Sequence, residues 1–138
     1  MDNHSLTILY VDDESVNIEL FKTIFSRLYK VLVAYSAAEG LAILEKNKVD
    51  LIITDEKMPS MTGVEFLKEI NQKFPKIPPH RLLTSAYSKP SSIDEAFAHY
   101  KLYKFIPKPW KINEFRNIVK EVLEDNYELP VNNQFNAE

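Results

Sequence analysis

Asp12 and Asp13 stand side by side at the end of an apolar run, Ile8 to Val11, with Glu14 directly behind them. Like charges this close repel, and burial raises the cost of ionising each of them. Asp55 ends a second apolar run, 51–54, Thr84 ends a third, 81–84, and Lys108 follows a fourth, 103–106. Three carboxylates, a hydroxyl and an amine form a set that can hold a hard divalent cation beside a phosphoryl group. Mg²⁺ takes oxygen ligands, keeps several waters and needs only one or two carboxylates plus a phosphate oxygen. A carboxylate can also attack phosphorus as a nucleophile and form an aspartyl phosphate. The cation and the amine would then neutralise charge developing on the transferred group.

Taken singly, each residue has an ordinary reading. Asp after a strand favours turns and caps helices. A lone Thr is a common β-branched strand residue, and a lone Lys is usually a solvated surface charge. The set carries meaning only if the chain brings the ends of these runs to one place.

Five short apolar runs are present, at 6–11, 31–35, 51–54, 81–84 and 103–106. Most are continuous rather than alternating, the pattern of parallel strands covered on both faces. Amphipathic stretches separate them. Phe21, Ile24, Phe25 and Leu28 recur at helical spacing, as do Ile93, Ala96, Phe97 and Tyr100, and Phe115, Ile118, Val119 and Val122. Val64, Leu67, Ile70 and Phe74 stripe a further helix, and Ser36 with Glu39 and Thr62 with Glu65 read as capping boxes. Strand and helix thus alternate five times. Right-handed crossovers turn that order into a three-layer α/β/α sandwich around a five-stranded parallel sheet. Ligands of such sheets bind beyond the carboxyl ends of the strands, and all five polar residues fall at that edge. Prolines at 59, 75, 78, 79, 90, 107 and 109 mark loops, and the polar stretch 127–138 reads as a tail or linker.

Bulk properties narrow the class. The chain has 138 residues, 45% hydrophobic and 27% charged, with a net charge of −3, which fits one domain with a real core. It is not basic enough for general nucleic-acid binding. The absence of cysteine excludes disulfides and thiolate metal sites. No apolar run approaches the ~20 residues that span a bilayer, and "MDNHS" carries no hydrophobic signal region, so a soluble, cytoplasmic domain is expected. An aspartate-nucleophile phosphatase is one alternative, but it would carry Asp-x-Asp after its first strand, whereas here the acids are adjacent and no cap insertion is visible. A nucleotide or flavin binder is another, but the two glycines, Gly40 and Gly63, make no Gly-rich phosphate cradle.

"VDDE" (11–14), "TDEKMPSMTG" (54–63), "LLTSA" (82–86) and "FIPKPW" (105–110) each follow a different strand. Together they resemble a two-component response-regulator receiver domain of the chemotaxis-regulator type, over roughly residues 5–126. The resemblance implies a flavodoxin-like sheet in the order 2-1-3-4-5, with a receiver over 1–126 and a tail over 127–138. It implies that Asp55 accepts the phosphoryl group. Asp13 would ligate Mg²⁺ (or Mn²⁺) directly, with Asp12 acting mostly through water and the Lys57 backbone carbonyl as a further ligand. Thr84 would hydrogen-bond a phosphoryl oxygen, Lys108 would pair with it, and the Lys108–Pro109 bond would be cis. Phe105 falls at the aromatic switch position, where many relatives carry Tyr. Trp110 stands where relatives more often have Phe and reads as core packing at the start of the last helix. Gly63 would relieve the tight geometry of the loop before the third helix. Such a domain is a phosphoacceptor rather than an enzyme, although it assists its own phosphorylation and dephosphorylation. The implied partners are a sensor histidine kinase or phosphotransfer protein upstream, and a protein partner or fused output domain downstream. The output surface would span roughly 90–126, where a homodimer is also an option. Membrane and direct nucleic-acid contacts are not implied for this domain. The alternative on the same resemblance is the N-terminal receiver of a longer regulator with an enzymatic or DNA-binding output.

Overall fold

The computed structural model describes residues 5–77 and 80–125. Five strands, β1 (Thr7–Val11), β2 (Lys30–Ala34), β3 (Leu51–Asp55), β4 (Arg81–Ser85) and β5 (Leu102–Pro107), alternate with α1 (Ser15–Phe25), α2 (Ala37–Lys46), α3 (Gly63–Lys73), α4 (Ile93–His99) and α5 (Ile112–Lys120). The last helix runs on into one π-helical turn, Glu121–Asp125. All strand pairs are parallel, in the order β2-β1-β3-β4-β5, the sheet expected above. The stretch 126–138, with the expected tail, and Pro78 and Pro79 lie outside the described residues.

The three inner strands are buried at every position, because helices cover both of their faces; hence their unbroken apolar sequences. The edge strands β2 and β5 are partly exposed. Successive residues point to opposite faces. Leu9 and Val11 join Ile52, Phe66 and Leu83 under α2, α3 and α4. Ile8 and Tyr10 join Phe21, Phe25 and Phe115 under α1 and α5.

Several details differ from the sequence pattern. Pro107 is not a loop residue but the last residue of β5, where an edge strand tolerates a missing N–H. Phe97, expected in the apolar stripe of α4, is 43% exposed. That helix has only seven residues, and Ile93, Ala96 and the capping Tyr100 already cover the sheet beneath it. The capping box at α3 is complete, with Thr62 and Glu65 each accepting the other's backbone N–H, an arrangement worth about 1 kcal/mol. At α2 only half of it forms. Ser36 accepts the Glu39 N–H, but the Glu39 carboxylate takes the N–H of Tyr35, one residue early on the extended lead-in.

Candidate functional site

The carboxyl ends of β1 and β3 deliver the acids. Asp12 is fully buried, and its N–H continues the sheet pairing to the Ala34 carbonyl at 3.1 Å. Its Oδ1 accepts the Glu14 N–H at 3.0 Å, and its Oδ2 accepts both the Tyr10 phenol at 2.5 Å and the Lys108 ammonium at 2.9 Å. Asp55, nearly buried, accepts the same ammonium on Oδ1 at 2.8 Å. Asp13 is exposed and lines the cleft above. One carboxylate oxygen from each of Asp12, Asp13 and Asp55 lies within 4.8 Å of the others.

One ammonium therefore serves two carboxylates, with a third close by, and the cluster stays short of positive charge. The titration behaviour agrees. Burial pushes the Asp55 carboxyl up, and the hydrogen bond from Lys108 only partly opposes it while the Asp12 charge adds to it. Burial pulls the Lys108 ammonium down, but hydrogen bonds to Asp55 and Asp12 outweigh that, so its pKa ends above the usual lysine value. Burial sets the direction at Asp55, whereas at Lys108 the two carboxylates overcome it. The donor set is entirely hard oxygen, which fits Mg²⁺ or Mn²⁺ and not a soft metal.

The turn after β3 is pinned over this cluster. Glu56 donates its N–H to the Thr84 carbonyl at 2.9 Å, its own carbonyl accepts the Gly63 N–H at 2.9 Å, and its carboxylate accepts the Val64 N–H at 2.9 Å. Burial pushes the Glu56 carboxyl up, against those backbone bonds. Gly63 is needed for clearance: a Cβ there would lie 2.5 Å from the Asp55 carbonyl oxygen. The left-handed residue in this loop is instead Ser60, with φ 71°. An open cleft of about 850 Å³ leads in, bordered by Asp13, Asp55, Lys57, Tyr87 and Lys108. The Lys57 ammonium sits 5.1 Å above the Tyr87 ring at its mouth.

Thr84 and Lys108 arrive from β4 and the end of β5. The Lys108 N–H bonds the Ser85 carbonyl at 2.8 Å, and the Lys108–Pro109 peptide is cis. The Thr84 hydroxyl donates to the Ile106 carbonyl at 2.6 Å and accepts the Trp110 indole N–H at 2.9 Å. Phe105 is partly buried on the α2–α4 side of the sheet. The structure thus gathers Asp12, Asp13, Asp55 and Lys108 into one cluster, keeps Thr84 beside it on other partners, and places Phe105 three residues before Lys108, on the sheet face opposite that of Ile106.

Three contributors escaped the sequence reading. Tyr10 lies two residues before Asp12, on the same strand face; a phenol in an otherwise aliphatic strand was its one available signal. Glu56 lies inside the 54–63 motif, but its type and position alone do not tell that its carboxylate pins the start of α3. Trp110 packs as expected, with ring centroids 5.7 Å from Tyr10 and 5.0 Å from Phe115, but it also holds Thr84, which packing alone does not foretell.

Residues 8–120 match the family model described as the response regulator receiver domain. The hydrogenase transcriptional regulatory protein HoxA of Cupriavidus necator is 32% identical over 90% of this chain, which spans only 25% of that relative. Sporulation initiation phosphotransferase F of Bacillus subtilis is 32% identical over 84% of this chain and 92% of its own length. Among solved structures, the signal receiver domain of an HD domain-containing protein from Pseudomonas fluorescens superposes with a TM-score of 0.79 at 28% identity, over 86% of this chain and 94% of that one. The response regulator TrrA of Thermotoga maritima, solved in complex with Mg(2+)-BeF, gives a TM-score of 0.74 at 29% identity, over 86% and 99%.

Proposed function

The chain belongs to the response regulator receiver domain family, and from that premise we propose that it accepts a phosphoryl group on Asp55 from a sensor histidine kinase or phosphotransfer protein. The observation that carries this reading is the single Lys108 ammonium shared by Asp12 and Asp55 within a three-acid cluster. An Asp55 carboxylate oxygen attacks phosphorus, the donor's bond to phosphorus breaks, and the donor leaves with that bond's electron pair. Asp12, Asp13, Asp55 and the Lys57 backbone carbonyl would hold Mg²⁺ or Mn²⁺, which when bound supplies positive charge against the phosphoryl oxygens. Lys108 swings from its carboxylates toward the new phosphoryl group, and Thr84 turns its hydroxyl to a phosphoryl oxygen.

The modification adds about −1.5 to −2 charge at the sheet edge. Thr84 leads into the segment before α4, and Lys108 ends the strand that carries Phe105. Their shift biases the α4–β5–α5 face between two states, so a partner is recruited without touching the pocket. Phe105 has no hydroxyl, so it takes part by ring packing. The setting is cytoplasmic, and the domain serves as a phosphoacceptor that assists its own phosphorylation and dephosphorylation. A second reading, an N-terminal receiver within a longer regulator, is favoured by the 25% coverage of HoxA; the reading frame around this sequence decides between the two.

The test is incubation with acetyl phosphate and Mg²⁺, followed by intact mass and amide hydrogen exchange on the same samples. Wild type gains one labile phosphoryl group, Asp55→Asn gains none, and exchange changes spread into 84–106 and α5. Equal labelling of both proteins rejects the assignment.

A further inference from the structure

The Thr84 hydroxyl is committed at both of its ends. A hydroxyl has one hydrogen to give and two lone pairs to accept with. Here the hydrogen goes to the carbonyl of Ile106, the register partner of Thr84 across the β4–β5 pair. A lone pair takes the indole N–H of Trp110. Accepting that bond polarises the hydroxyl and strengthens its own donation, so the indole reinforces the Thr84–Ile106 bond. The indole has little freedom to look elsewhere. Its ring is wedged edge-on against Tyr10 and Phe21 and tilted onto Phe115, with centroids 5.7, 6.1 and 5.0 Å apart. Tyr10 in the same cluster puts its phenol on Asp12. The two polar tips of one aromatic cluster thus land on a candidate metal ligand and on the candidate switch hydroxyl.

We infer that Trp110 is a positioning residue of the switch: its indole N–H holds the Thr84 hydroxyl on the Ile106 carbonyl in the resting state and has to be released before Thr84 can donate to a phosphoryl oxygen on Asp55. The inference rests on the phosphoacceptor reading above. A phenyl ring at this position would fill much of the same space between Tyr10 and Phe115 but would carry no donor. The resting arrangement would then lose one hydrogen bond, and the switched form would become easier to reach.

The probe is beryllofluoride with Mg²⁺. Trp110 is the sole tryptophan, so its indole ¹⁵N–¹H resonance is unambiguous in the intact wild-type chain. On saturation with the probe that resonance shifts upfield as its acceptor leaves; a stationary resonance overturns the inference. Trp110→Phe binds the probe about fivefold more tightly, the factor one ordinary net hydrogen bond carries. In a Thr84→Ala background the same substitution leaves affinity nearly unchanged, because the bond it removes is already gone. Equal effects in the two backgrounds, or weaker binding by Trp110→Phe, assign the residue to packing alone and overturn the inference while leaving the function standing. Absence of any wild-type binding that Asp55→Asn abolishes overturns both.

Discussion

The two ends of the sheet handle buried charge in opposite ways. At the carboxyl end, two carboxylates share one ammonium with a third carboxylate close by, and positive charge is left wanting. At the amino end, Arg81 opens β4 fully buried, and among the described residues no carboxylate pairs with it. Fixed dipoles surround it instead: its guanidinium donates to Asn71 Oδ1 at 3.2 Å, to the Tyr100 carbonyl at 3.3 Å and to the Ile77 carbonyl. Asn71 in turn donates to the His99 carbonyl at 3.0 Å, and Lys101, in the left-handed region, donates to the Pro75 carbonyl at 2.6 Å. These carbonyls sit at and just beyond the C-terminal ends of α3 and α4, where helix dipoles favour a cation. Burial still pulls the Arg81 pKa down to about 10. One end meets its charge at both terminal guanidinium nitrogens with parts that cannot leave, although the buried Arg81 Nε has no partner among the described residues, and so it clamps two helix ends to a strand. The other leaves a charge of one sign unmet beside an open cleft, and so it can take up a cation and a phosphoryl group.

The sharpest way to break this contrast is Arg81→Ala. It opens a cavity and strips donors from two carbonyls and an amide, so it should destabilise the fold by about 3 kcal/mol or more. Chemical denaturation measures this, and a loss under about 1 kcal/mol would mean the amino end is no clamp. Any Mg²⁺-induced rise in melting temperature should survive in this variant, because the acid cluster lies at the opposite end of the sheet.

A smaller effect is expected from Asp13→Ala, which acts only at the open end. Removing this exposed acid should abolish the rise in melting temperature with Mg²⁺, since a ligand stabilises only the state that binds it. It should also raise the metal-free melting temperature slightly by relieving repulsion. An unchanged Mg²⁺ titration would remove Asp13 from the metal site.

The smallest effect concerns His80, packed beside Arg81 with its ring 5.2 Å from Tyr103. Burial, with the Lys101 charge adding to it, pulls its pKa below the ordinary 6.5. A folded-state value lowered in this way means that the unfolded chain binds the proton more readily, so stability rises with pH across the window. The melting temperature should therefore fall as pH drops from about 6.5 toward the folded-state value. His80→Gln should flatten that part of the profile; the same slope in both proteins would show that His80 is not held neutral.

Much of this architecture was written locally. Strands buried on both faces have to be continuously apolar, so β1, β3 and β4 announced themselves, and acids at their ends could lie only at the carboxyl edge. The Thr62–Glu65 box needed just four residues to be read. What tertiary structure alone decided is who shares with whom. Lys108 meets Asp12 across 96 residues and Asp55 across 53, and Trp110 reaches Thr84 across 26. Periodicity carries no such information, because these contacts depend on which strands the crossovers set side by side and how far each side chain reaches. The same limit hid the need for Gly63, whose absent Cβ leaves room for the Asp55 carbonyl, and the exposure of Phe97, whose place in the stripe was local while the surface beneath it was not. Residue types determined which charges the chain carries; the packing of the sheet determined which of them are buried, as Asp12 and Arg81 are and Asp13 is not, and which are answered from within.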